Sequence, residues 1–124
     1  MADPETPPLL RLEHGSGPVS PRFAHSLRLT IHDDGRVDVD SRGGAVGTFA
    51  GVLTVPRAKV DALLERIRAL ALVDEEPTRR EGIEWCSVAF DGKTFRYPSS
   101  AVRDAASPPA EAIAAIVAFV VDAR

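Results

Sequence analysis

The chain has 124 residues, enough for one domain with a buried core, and its 44% hydrophobic and 27% charged content is ordinary for a soluble globular protein. The net charge is −3 with both signs interspersed, so no basic patch suggests nucleic acid and no acidic tail suggests a basic partner. A single cysteine, Cys86, excludes an intrachain disulfide, and the longest mostly apolar run, Ala112 to Val121, is too short to span a bilayer.

Residues Met1 to Pro8 are acidic and proline-rich and read as a flexible leader to a single domain over 9–124. They lack the positive start and apolar run of a secretory signal, so a cytoplasmic location is expected. Leu9 to His14 reads as a first strand. Gly15 to Pro21 reads as a loop, without the lysine and following Ser/Thr of a phosphate-binding loop.

Ser26 to His32 alternates strictly, with Leu27, Leu29 and Ile31 on one face, and Arg36 to Asp40 alternates too. Asp33-Asp34-Gly35 between them signals a hairpin, and its register is decidable. Residues directly opposite one another share a face. A two-residue loop would set Ile31 against Asp38. A three-residue loop with Gly35 left-handed sets Ile31 against Val37 and Leu29 against Val39, so a type I turn with a glycine bulge is predicted. The outer face then carries His32 beside Arg36, Thr30 beside Asp38, and Arg28 beside Asp40. The last two are expected to form a surface ion pair worth under about 1 kcal/mol.

A strand near Gly47 to Leu53 leads into the most regular stretch of the chain. Val60, Leu63, Leu64, Ile67, Leu70 and Ala71 fall on one helical stripe, with Arg57, Asp61, Glu65 and Arg68 opposite. Pro56 suits the start, and Pro77 disfavours helical angles before it, so a helix over about 56–73 is predicted to lie across a sheet. Gly43, Gly44, Gly47 and Gly51 precede a strand rather than follow one, unlike a dinucleotide fingerprint.

Ile83 to Phe90 and Lys93 to Tyr97 form a second hairpin around Asp91-Gly92. Here a two-residue type I′ turn fits, setting Val88 against Phe95 and Cys86 against Tyr97 on an apolar face that ends in Phe90. Trp85 and Arg96 fall on the other face. Ser107 caps a last helix, opened by Pro108-Pro109 and running over about 109–123, with Ile113, Ile116, Val117, Val120 and Val121 on one face and Ala112 and Phe119 widening it. So apolar a helix is expected to be buried beside the first helix, or else shared with a partner.

Residues that carry chemistry are sparse. His14, His25 and His32 lack metal-ligand spacing, with no second cysteine to join them. His32 reads as a solvent-facing residue at a hairpin end. Cys86 falls on the apolar face, where it reads as a small core residue rather than a nucleophile. No serine sits in a nucleophile elbow, and Asp33, Asp34 and Asp38 lack the glutamate that completes a calcium loop. No catalytic, metal or cofactor-binding residue is therefore assigned. Trp85, Arg96, Arg28 and His32 are the candidates for partner binding. Tryptophan and arginine anchor interfaces, and Arg96 is placed to reach Trp85 as a cation–π contact.

The order of strand, Asp-Asp-Gly and strand over Ser26 to Asp40, then GVLTVPRAKVDALLERIRALALVDEEP at Gly51 to Pro77, the Asp91-Gly92-Lys93 hairpin and a closing helix resembles a group of small bacterial domains of unknown function. Together these parts cover about four fifths of the chain. That group often carries a cysteine pair before the first hairpin, which is absent here. The layout is also similar to that of emfourin-type proteins, inhibitors of thermolysin-like metalloproteases, and Gly15-Ser16-Gly17 echoes their glycine-rich start. Both resemblances imply the same fold, and the second alone implies an inhibitory role, with no individual residue transferred.

The expected fold is α+β: an antiparallel sheet of two β-hairpins plus flanking strands, with two helices packed on one face. The expected function is that of a non-catalytic protein-binding module, a protease inhibitor or the regulator of a partner protein. The alternatives are a homodimer built on the C-terminal helix and a small-ligand binder with a pocket between sheet and helices.

Overall fold

A computed structural model describes residues 8–15, 25–44, 46–74, 85–98 and 106–123, with Trp85 described through its backbone alone. In chain order the elements are β1 (Leu10–Gly15), β2 (Ser26–Ile31), β3 (Arg36–Arg42), β4 (Phe49–Thr54), α1 (Arg57–Arg68), β5 (Trp85–Phe90), β6 (Lys93–Pro98) and α2 (Pro108–Ala123). The expected leader up to residue 7, the loop at 16–24 and the connection at 78–82 lie outside the described residues.

Both hairpins have the turns that their registers require. Gly35 takes φ +86°. Its N–H donates to the His32 carbonyl at 3.1 Å, and the His32 N–H donates to the Arg36 carbonyl at 2.8 Å. That is a type I turn closed by a glycine bulge. It sets Ile31 opposite Val37 and Leu29 opposite Val39. At the second turn Asp91 and Gly92 both take positive φ, 53° and 74°, as a type I′ turn demands. Val88 then faces Phe95 and Cys86 faces Tyr97.

β1 joins the two hairpins. It pairs antiparallel with β2 on one side and with β5 on the other. The result is one six-stranded antiparallel sheet in the order β4-β3-β2-β1-β5-β6. Alternation divides it cleanly. Leu10, Leu12, Leu27, Leu29, Ile31, Val37, Val39, Val88 and Phe90 turn to one side and are buried. Both helices cover that side, supplying Val60, Leu63, Leu64, Ile67, Ala115, Ile116 and Val120 to the same core. Each large aliphatic side chain removed from water here contributes about 1.5–3 kcal/mol.

The helices depart from the sequence expectation at particular points. α1 ends at Arg68 rather than near residue 73. Ala69, Leu70 and Ala71 close it with tightening bonds to Glu65, Ile67 and Arg68, and Ala71 takes φ 52°. Ala71 is therefore exposed and off the buried stripe. The chain turns there to carry Asp74 to the β6 edge, where its carboxylate accepts the Arg96 N–H at 3.0 Å. Arg68 clamps the end of α1 to the second hairpin turn, its Nε and Nη2 donating to the two carboxylate oxygens of Asp91 at 2.6 and 2.7 Å. That guanidinium holds the Asp91 carboxyl below the usual carboxylate range.

α2 starts at Pro108 with Ser107 as its cap: the Ala110 N–H reaches Ser107 Oγ at 3.3 Å. It packs beside α1 and is buried along Ala112, Ala115, Ile116 and Val120. Val121, expected on that face, is 50% exposed because it lies one residue beyond the stripe that Ile116 and Val120 define. β4 starts at Phe49, two residues later than expected, and forms one edge of the sheet. No helix among the described residues is long and apolar enough to cross a membrane.

Candidate functional site

The side of the sheet away from the helices carries a different set of side chains. The registers place Ala50, Asp40, Arg28, Glu13, Ser87 and Arg96 in one row across all the strands. The adjacent row holds Val52, Asp38, Thr30, Arg11, Ala89 and Thr94. Arg36 and Arg42 flank them on β3. Arg11, Glu13, Arg28, Arg36, Asp40 and Arg42 are all exposed. In a chain of net charge −3, this face sets Arg11, Arg28, Arg36, Arg42 and Arg96 against Glu13, Asp38 and Asp40. Its cationic side chains are all arginines, the planar, multidentate donor suited to carboxylate recognition. A shallow hollow of about 460 Å³ opens at one end of the face, between Glu13, Ser26, Arg28, Asp40 and Arg42.

Of the candidates from sequence, Arg28, Arg96 and His32 are distributed over this face rather than gathered at one point. Arg28 stands at its middle, directly opposite Asp40, yet no Arg28–Asp40 ion pair forms among the described residues. With Glu13 on its other side, Arg28 sits between two carboxylates roughly one strand spacing away each, and solvent offsets most of the gain from closing either pair. Arg96 shares that row, and its Nη1 lies 3.7 Å from Asp74 Oδ2. Trp85 pairs with Pro98 at the far end of β5. The side chain of Trp85 lies outside the described ones, so the expected contact with Arg96 does too.

His32 is not simply solvent-facing, as its position at the hairpin end suggested. It is half-buried, with Nε2 2.8 Å from Asp38 Oδ2 and 3.3 Å from Arg36 Nη2. The bulge at Gly35 brings residues 32 and 36 together and so builds this small cluster.

A second polar group, not anticipated from sequence, lies on the covered side. His14 is the third member of the alternation that starts at Leu10 and Leu12, and it is only 7% exposed. The Tyr97 hydroxyl lies 3.1 Å from its Nδ1, the two rings stack at 6.1 Å, and the His25 ring is 5.7 Å away. Cys86 stands opposite Tyr97 on β5, and the Gly15 N–H donates to Cys86 Sγ at 3.4 Å. Burial, with some help from Cys86, pushes the Tyr97 phenol well above its usual value. Burial, and next the neighbouring His25, lowers His14 to about 4. At neutral pH His14 and Tyr97 are therefore both uncharged, and their hydrogen bond satisfies two buried polar atoms. Above it, beneath α2, a hollow of about 240 Å³ lies between His14, His25, Ser41, Val46, Ile113 and Val117. Among the described residues, no group of three or more His, Cys, Asp or Glu is placed to hold a metal ion.

The depressed His14 value sets a pH dependence. The folded state refuses a proton that the unfolded chain accepts near 6.5, so the resulting stability is fully present above about pH 6.5 and is lost as pH falls towards 4. Urea unfolding between pH 7.5 and pH 4 should show a loss on the order of 2 kcal/mol from this residue, after discounting for solvent near the ring. A His14→Gln variant should lack that part of the slope, and an unchanged slope would contradict the assignment.

No protein-family model, curated protein or solved structure matches this chain.

Proposed function

We propose that the protein is a non-catalytic protein-binding module whose interface is the arginine-bearing face of the sheet opposite α1 and α2, and that its partner presents carboxylates. The observation that carries this reading is Arg28: exposed at the centre of the face, between Asp40 and Glu13, and closed onto neither. An exposed guanidinium that closes onto neither neighbouring carboxylate retains its forked donors for an incoming one. Arg11 and Arg42 on the neighbouring strands are exposed on the same face, and the hollow beside Arg28 and Arg42 gives a partner side chain a place to enter. The emfourin-like layout makes a thermolysin-like metalloprotease the first partner to try.

The test is charge reversal at Arg28 and Arg42 in the full chain. Inhibition of a thermolysin-like protease, and retention of any protein from the native lysate, are measured for wild type and for the Arg28→Glu/Arg42→Glu variant. Binding should fall by at least about tenfold while the unfolding midpoint stays within a degree or two. Equal binding by both proteins would place the interface elsewhere.

A further inference from the structure

The two edges of the sheet are built differently. β6 bears Lys93, Arg96 and Pro98, and the outward N–H of Arg96 is taken by Asp74 Oδ1. Charge, proline and a covering side chain are the usual guards of a sheet edge. β4, Phe49 to Thr54, has neither charge nor proline. The Val55 N–H donates to the Gly35 carbonyl at 2.9 Å, which fixes the phase of the β3–β4 ladder. By antiparallel alternation Phe49, Gly51 and Leu53 turn their backbone groups to β3, and Ala50, Val52 and Thr54 turn theirs away from the sheet. No described residue bonds to those outward groups. Val52 is also 60% exposed.

We propose that β4 is a dimer seam, on which a second copy of this chain adds antiparallel about a twofold axis at Val52, making one continuous sheet. That register alone pairs every outward group with an outward group. Val52 meets its own counterpart, Ala50 meets Thr54 of the second copy, and Thr54 meets Ala50, for roughly six N–H···O bonds. The side chains that meet are apolar or small on both faces.

The charges nearest the seam favour a second copy over an arbitrary peptide. Asp40 stands beside Ala50, and Arg36 stands beside Thr54. The twofold axis therefore puts Asp40 of one copy and Arg36 of the other in a single cross-strand row, roughly 14 Å apart at the backbone, with only the small side chains of Ala50 and Thr54 between them. The opposing effect is Asp38, which falls in the central row of both copies. It is already engaged by His32 at 2.8 Å and by Arg36 at 3.9 Å within its own chain. This seam is on β4, so the α2 helices remain apart, and the arginine face stays open across both copies.

The experiment is sedimentation equilibrium of the full chain over a wide concentration range, for wild type and Val52→Lys, with Val52→Cys under mild oxidation as a positive test. Wild type should dimerise. Val52→Lys should dimerise roughly a hundredfold more weakly with an unchanged monomer fold, since the side chain is exposed. Val52→Cys should cross-link to itself, because Cα atoms of a bonded pair stand about 5.5 Å apart, within disulfide range. A wild type that stays monomeric throughout overturns the proposal and leaves the edge to a strand of another protein. A dimer that survives Val52→Lys and does not cross-link through Val52→Cys also overturns it, by placing the contact elsewhere, α2 included.

Discussion

Replacing Gly35 by alanine is expected to destabilise the fold by about 3 kcal/mol. Two causes combine. Gly35 sits at φ +86°, which costs an L-residue on the order of 1–2 kcal/mol. A Cβ there would also stand 2.5 Å from the Val55 carbonyl oxygen, a backbone atom that cannot swing aside. Relieving the clash means moving Val55 away, which breaks the Val55 N–H to Gly35 carbonyl bond and loosens β4 where it enters α1. Gly92 provides the control. Its φ of 74° is similar, but nothing lies within 4 Å of the added carbon. Gly92→Asn should cost about 1 kcal/mol or less. Urea titrations of both variants check this, and a Gly35→Ala midpoint equal to wild type would contradict the bulge geometry.

Ile116→Ala should cost about 2–5 kcal/mol. Ile116 is 0% exposed and is the point where α2 enters the core shared by α1 and the sheet. Shortening it removes apolar contacts and leaves a void that a helix anchored beside α1 cannot fully close. Val121→Ala on the same helix, at a half-exposed site, should cost under about 0.5 kcal/mol. Calorimetry of the pair separates burial against the core from a helix face held in reserve for a partner. Comparable losses at both positions would mean that Val121 is covered in solution.

What could be read from sequence was local. The Gly35 bulge and the type I′ turn at Asp91-Gly92 followed from asking which loop length keeps apolar residues facing each other. That question is settled within about fifteen residues of chain, because side chains alternate strictly along a strand. The buried stripe of α1 was equally plain. Its end was not: a helix that stops with a left-handed residue usually marks the place with glycine or asparagine, and here the residue is Ala71.

The pairing of β1 with β5 could not be read either, since strands so far apart in sequence leave no turn between them. The His14–Tyr97 contact depends on that pairing and was missed with it, although the Leu10, Leu12, His14 alternation already pointed His14 inward; the placing of Cys86 opposite Tyr97, local to the second hairpin, was legible. Of the candidate face, the identity of the outward residues on β2 and β3 was legible. The continuous row from Asp40 through Arg28 and Glu13 to Arg96 was not, because it crosses the same long-range pairing.

Alanine replacement along β2, one residue at a time from Leu27 to Ile31, tests most directly whether the sheet is covered on one side and open on the other. Equilibrium unfolding should give an alternating pattern: about 2–4 kcal/mol lost at Leu27, Leu29 and Ile31, and under about 0.5 kcal/mol at Arg28 and Thr30. A loss at Arg28 as large as those of its neighbours would contradict an open face, and with it the site proposed for partner binding.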